Sequence, residues 1–203
     1  MNTTSNTTPN STSKSASNTA SKTASKSTSN TASKAPARTV EMSDKVISLL
    51  SEVNRKGIDN LIQFVKNSNY LTTAQCYSHH THPEGLMMHS LEVLDYMLKN
   101  NHSGLSRESI ILVALCHDLG KARVDGMKIG RGKHPARSVY ILKQCGVELT
   151  EDERDAIRCH HPKGIADFLS RAFSSPLQLL LQMGDSRSTS INKRGGKYRF
   201  SAL

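Results

Sequence analysis

Seven consecutive apolar residues, Ile110-Ile111-Leu112-Val113-Ala114-Leu115-Cys116, run directly into His117-Asp118 and then meet Gly120. An apolar run on every side of a helical wheel needs neighbours on every side, so it sets the segment at the centre of a bundle. The adjacent histidine and aspartate then lie at the end of the most hydrophobic helix in the chain. Buried ionisable groups cost several kcal/mol unless they are paired or bound to a metal, so a compensating group is required there.

The remaining chain supplies the neighbours. Ser43 precedes Val46, Leu49, Leu50 and Val53 at helical spacing, and Ile58, Leu61, Ile62 and Val65 follow Gly57. Pro83 reads as the opening of a long helix through Leu86, His89, Val93 and Met97, closed near Asn100-Asn101. Ser106 caps the central apolar helix and Gly120 stops it. His134 with Pro135 starts a helix that ends at Gly146, and Thr150 with Glu153 forms a capping box for another that ends at Cys159-His160-His161. Ser175-Pro176 begins the last, which reaches Asp185 just past Gly184. No segment alternates with period two, so an all-α, compact helical bundle is expected.

Residues 1 to 40 differ in kind. They are mainly Ser, Thr, Asn and Ala, and "SKSASNTASKTA" (13 to 24) is followed by "SKSTSNTASKAP" (25 to 36). Such a segment buries too little apolar surface to offset its ordering entropy, so a disordered tail or spacer is expected, ahead of a domain at 41–190 and a basic extension at 191–203. The tail holds Lys14, Lys22, Lys26, Lys34 and Arg38 without an acidic residue, about half of the formal charge of +10. The domain itself is therefore only moderately basic. No apolar run approaches 18 residues and no signal-peptide pattern opens the chain, while Cys76, Cys116, Cys145 and Cys159 show no CxxC spacing. A cytoplasmic protein with free thiols and no membrane partner follows. Trp is absent and aromatics are 4% of residues, which argues against an aromatic stacking platform for single strands.

His89, His117, Asp118 and Asp185 each fall on a buried helix or at its end, and two imidazoles with two carboxylates suit a divalent Mn, Fe, Mg or Zn ion. A lone inward histidine is commonly a hydrogen-bonded core residue. Four such residues around an adjacent His-Asp are harder to explain without a metal. His134, His160 and His161 are candidates for a second metal or for phosphate contacts. His79, His80 and His82 in "YSHHTHPEG" line the site or belong to a surface loop.

The segments "GLMMHSLEV", "ALCHDLGKA", "HPARSVYIL", "CHHPKG" and "LLQMGDS" resemble, in order and approximate spacing, the HD superfamily of metal-dependent phosphohydrolases with its H…HD…D signature. The likeness spans roughly Tyr70 to Asp185. It implies an HD-type fold with His89, His117, Asp118 and Asp185 as metal ligands, and His134, His160 and His161 at a second ion in the manner of binuclear members. One or two divalent ions (Mn, Fe, Mg, Ni or Zn) are thus the expected cofactor, with Asp118 and Lys121 as catalytic residues and Lys121, His79 and His80 toward the substrate phosphate. "SHHTHPEGLMMHSLEV" also resembles HD-type exoribonucleases and HD relaxases, except that Glu84 stands where those have the first glycine of a Gly-Gly pair. The GYP motif of the cyclic-dinucleotide phosphodiesterases is not matched, since Pro162-Lys163-Gly164 follows the paired histidines.

The expected activity is metal-dependent hydrolysis of a phosphomonoester or phosphodiester in a nucleotide or related phosphorylated substrate. A bound ion lowers the pKa of its water toward about 7, which suits in-line attack on phosphorus. A nuclease acting on RNA or single-stranded DNA is the alternative, with Lys128, Arg131, Lys133, Arg137, Lys193, Arg194, Lys197 and Arg199 as its basic track. A non-catalytic, metal-stabilised interaction module is the third reading, and neither substrate identity nor oligomeric state is legible.

Overall fold

The computed structural model describes residues 37–124, 133–161 and 174–203. The repetitive segment expected as a disordered tail lies outside them up to residue 36, as do Lys128, Arg131 and residues 162–173. Among the described residues there are seven α-helices, one short 3-10 turn and no strand, the all-α architecture expected. The helices are α1 (Ala37–Ser51), α2 (Ile58–Asn67), α3 (Gly85–Lys99), α4 (Arg107–Cys116), α5 (His134–Gln144), α6 (Glu151–Arg158) and α7 (Pro176–Lys193), with the 3-10 turn at Leu119–Lys121.

α4 is the axis of the bundle. All seven of its apolar residues from Ile110 to Cys116 are at most 1% exposed. Each fully buried aliphatic side chain contributes about 1.5 to 3 kcal/mol, so this stripe is the strongest local reason for the bundle to close. α3 and α7 pack together, with α4 against α3, and α5 covers the 3-10 turn that follows α4. Gly184 in α7 permits the close approach: a Cβ there would meet Val93 Cγ1 and the Val93 carbonyl oxygen, both at 3.2 Å.

Several boundaries differ from the sequence expectation for identifiable reasons. α1 begins at Ala37, so Ser43 lies inside it, with its hydroxyl 3.6 Å from Met87 Sδ, and is not its cap. α3 begins at Gly85, because Glu84 adopts a left-handed conformation (φ 66°) that no helix can pass through. Ser106 stands at the N-cap of α4 but its side chain makes no capping bond. Lys133 is the N-cap of α5, so His134 is its first helical residue. The Thr150–Glu153 capping box is present in both directions.

Gly120, expected as the stop of α4, acts otherwise. Gly120 lies within the 3-10 turn, where an added Cβ would sit 2.2 Å from the His134 carbonyl oxygen, so its absent side chain lets α5 close on the turn. α7 continues past Gly184 to Lys193, which places Asp185 in mid-helix. The C-terminal residues fold back on α3: Asp95 accepts from the backbone N–H of Ser201 (2.7 Å) and Ala202 (2.6 Å) and from Tyr198 O–H (3.1 Å).

Candidate metal centre

Where α4 ends, His117 Nδ1 lies 2.8 Å from the carbonyl oxygen of Ala114, one turn back. That bond puts the proton on Nδ1 and leaves the Nε2 lone pair facing inward. His160, just past α6, repeats the device with the Ile157 carbonyl at 2.7 Å. On α3, His89 Nδ1 lies 2.9 Å from Ser188 Oγ, whose proton goes to Glu92 Oε2 at 2.7 Å. Three imidazoles on separate segments are thereby held with Nε2 unprotonated and aimed at a common centre. Metal-bound histidines are held in this way, through the nitrogen that faces outward.

Asp118 lies at that centre with a different set of neighbours on each oxygen. Its Oδ2 is 3.3 Å from His117 Nε2 and 3.7 Å from His89 Nε2. Its Oδ1 is 3.0 Å from His134 Nε2 and 3.6 Å from His160 Nε2. Asp185 joins the first group, with Oδ1 at 3.2 Å from His89 Nε2, and reaches toward the second, with Oδ2 at 3.7 Å from His161 Nδ1. Ligand atoms of His89, His117 and Asp118, and separately of Asp118, His134, His160 and His161, fall within 4.8 Å of one another. His89, His117 and Asp118 are fully buried, whereas the side chains of His134 and His161 are 22% and 46% exposed, so the second group opens toward solvent.

The fit of a cation can be judged from the groups left unsatisfied. Asp118 Oδ1 and His160 Nε2 are buried without a hydrogen-bond partner, though they face one another. Two lone pairs directed at the same point repel unless a proton or a cation lies between them, so this donor set fits a divalent ion. Proton affinities agree. Burial alone would raise the Asp118 carboxyl, but His117, His134 and His160 hold it well below the usual carboxylate range. Asp185 is also depressed, burial being outweighed by His89 and His117. Burial lowers His89, and burial with the neighbouring His160 brings His161 down to about 4. His117 is raised against its burial by Asp118. The depressed carboxyls of Asp118 and Asp185 and the lowered imidazoles of His89 and His161 favour the ionised carboxylate and neutral imidazole forms that ligate a metal.

The other candidates occupy defined places. Lys121, in the 3-10 turn, puts Nζ 2.8 Å from Asp118 Oδ2, so it touches a candidate ligand directly. His79 is partly buried, its ring centroid 5.7 Å from that of His89. His80 is 1% exposed and lies beside His89, its Nε2 2.9 Å from Glu92 Oε2, the carboxylate that also accepts from Ser188. His82 is on the surface.

Four residues were not anticipated. Gln75 donates to Asp118 Oδ2 at 2.5 Å, from a loop without a motif. Ser138 accepts from Gly120 N–H and donates toward the His117 carbonyl, both at 2.8 Å, which fastens the His-Asp turn to α5. Glu92 and Ser188 form the support behind His89. A signal for these two exists in the sequence: each stands three residues after a candidate ligand, His89 or Asp185, on the same helix face.

A helical bundle holding a buried His/Asp cluster of this form is compatible with a divalent metal site. The family model of the HD domain matches residues 86–192, more than half of the chain, and the chain belongs to that family, the HD superfamily of metal-dependent phosphohydrolases. Comparisons with curated proteins and with solved structures found no match.

Proposed function

We propose that this chain hydrolyses a phosphoester of a nucleotide or related phosphorylated compound, using one or two divalent ions held by His89, His117, Asp118 and Asp185 and by Asp118, His134, His160 and His161. The observation that carries the reading is the pair of orphaned atoms, Asp118 Oδ1 and His160 Nε2, within a ring of imidazoles whose outward nitrogens are already bonded. A bound divalent ion supplies an acidified water and charge neutralisation at phosphorus.

The protein's own groups do the rest. Asp118 offers one oxygen to each half of the site, which a single imidazole nitrogen cannot do. The partly exposed His134 and His161 stand at the mouth, where a phosphate would enter. Lys121, 19% exposed and already against Asp118, is placed to meet the negative charge that grows on the phosphoryl oxygens as water adds to phosphorus and the ester oxygen leaves with a proton. Among the described residues no helix is long and apolar enough to cross a membrane. We place the activity in the cytoplasm, in keeping with cysteines that form no disulfide.

The test is elemental analysis of the purified full chain, followed by assay of mononucleotides, cyclic nucleotides and short oligonucleotides with Mn, Mg or Ni. Bound metal with chelator-sensitive release of phosphate or a phosphomonoester is expected. Hydrolysis confined to oligonucleotides and falling steeply with salt would move the reading to a nuclease, and absence of both metal and hydrolysis would refute it.

A further inference from the structure

α7 has two faces of different chemistry. Asp185, Ser188 and Asn192 turn inward, to His89, to Glu92 and to the backbone N–H of His80 respectively. Met183, Arg187, Ser190 and Arg194 repeat at the same three- and four-residue spacing on the opposite side, and all four are exposed. With Tyr96 and Leu179 they line a groove of about 610 Å³. A second groove, of about 540 Å³, is lined by Lys99, Asn100, Lys197 and Arg199. Tyr96 and Arg187 border both, so the two lie side by side and together form a trough along the face of α7 opposite Asp185 and Ser188.

The exposed charge in this trough is basic. Lys99, Arg187, Arg194, Lys197 and Arg199 line it, and none of the five forms an ion pair among the described residues, whereas surface arginines elsewhere do: Arg107 with Glu52 at 2.9 Å and Arg154 with Glu151 at 3.3 Å. The acid on its wall, Asp95, is 1% exposed and has both oxygens engaged by Tyr198 O–H and the N–H groups of Ser201 and Ala202. Asp95 is in effect the anchor that fixes the C-terminal segment and holds Lys197 and Arg199 beside α3 and α7. Between Ser186 and Leu203 there are five basic residues and no acidic one.

We infer that this trough is a docking site for a single-stranded nucleic acid, separate from the metal centre. A row of unpaired cations along a concave track matches a phosphodiester backbone, and the walls formed by Tyr96, Leu179 and the 55% exposed Met183 offer apolar contact to bases. A flat lipid surface would not enter a groove. The inference does not depend on the metal reading, because the two sites occupy opposite faces of α7.

The experiment is fluorescence anisotropy of the full chain in excess chelator with labelled oligo-dT and oligo-U of about 15 nucleotides, a length within the site sizes of single-strand binders. Salt is varied between about 0.05 and 0.2 M, where counterion release is read directly. Replacing Arg187, Arg194 and Arg199 together by alanine should weaken binding at least about tenfold and make the log–log salt slope less negative by about 2, at about 0.7 per lost phosphate contact. Melting temperature and metal content of this variant should match wild type, since all three side chains are exposed. A control with Lys14, Lys22, Lys26 and Lys34 changed to alanine separates the trough from the basic N-terminal segment and should bind nearly as wild type. The stronger of the DNA and RNA arms identifies the source of the strand. Unchanged binding in the arginine variant, loss of binding in the lysine control, or tighter binding of a duplex of the same length would each overturn the inference.

Discussion

Ser188→Ala isolates how the site is supported without replacing a candidate ligand. Ser188 is fully buried, takes the Nδ1 proton of His89 at 2.9 Å and passes its own proton to Glu92 at 2.7 Å. Alanine leaves that buried N–H without its acceptor and removes one donor from Glu92, while His80 still reaches the carboxylate. A buried polar group left unpaired costs about 1 to 3 kcal/mol. At about 2 to 4 °C per kcal/mol for a domain of this size, the metal-free melting temperature should fall by roughly 4 to 8 °C for a cost of about 2 kcal/mol. The effect on metal is separate: with His89 no longer fixed in tautomer or orientation, affinity should fall about 10- to 100-fold. Calorimetric titration of Mn into apo wild type and variant reads the second quantity, and thermal melts in chelator read the first. Lost stability with unchanged metal affinity would show that Ser188 only fills space, and the account of the inward-facing nitrogens would fail.

Two further perturbations test other parts of the structure. Glu84 holds a left-handed conformation that costs an L-residue about 1 to 2 kcal/mol, so Glu84→Gly should raise stability by about 0.5 to 1 kcal/mol after the added chain entropy; a lower denaturation midpoint would contradict this. Glu153 is buried, and although burial raises its carboxyl, the Arg55 guanidinium at 2.6 Å outweighs it and leaves the folded pKa depressed. A depressed carboxyl stabilises the fold above its unfolded pKa, about 4.3, and loses that contribution as pH falls through the folded value. Glu153→Gln should therefore cost stability at pH 7 and show a shallower decline below about pH 4.3 than wild type; parallel pH profiles would refute the pairing.

Much of the candidate centre was legible because its candidate ligands lie on strongly apolar helices or at their ends, where an ionisable side chain is conspicuous. His89 and His117 interrupt such runs, and the His134–Pro135 and His160–His161 pairs mark helix ends. Asp185 was legible as a residue but its mid-helix setting was not, since α7 runs on past Gly184, which packs closely against Val93. Gln75 was not legible: it reaches Asp118 from a loop whose path depends on tertiary contacts, including Gln75 N–H to the His80 carbonyl at 3.0 Å. The start of α1 at Ala37 was not legible, because the apolar periodicity begins only at Val46. The left-handed Glu84 was visible only as a departure from a glycine pattern. The C-terminal cations Lys193, Arg194, Lys197 and Arg199 were legible as a candidate basic track, whereas the fold-back that sets their segment beside α3 was not, because it depends on Asp95, about a hundred residues earlier in the chain.

The central claim is that Asp118 serves both halves of one metal centre, and metal stoichiometry tests it most directly. Equilibrium dialysis of the apo full chain against Mn, with bound metal counted by elemental analysis, should give two ions per wild-type chain and one per His134→Ala chain. In Asp118→Ala, which removes both shared oxygens, it should give almost none. Retention of two ions by Asp118→Ala, or failure of the wild type to bind any, would contradict the claim.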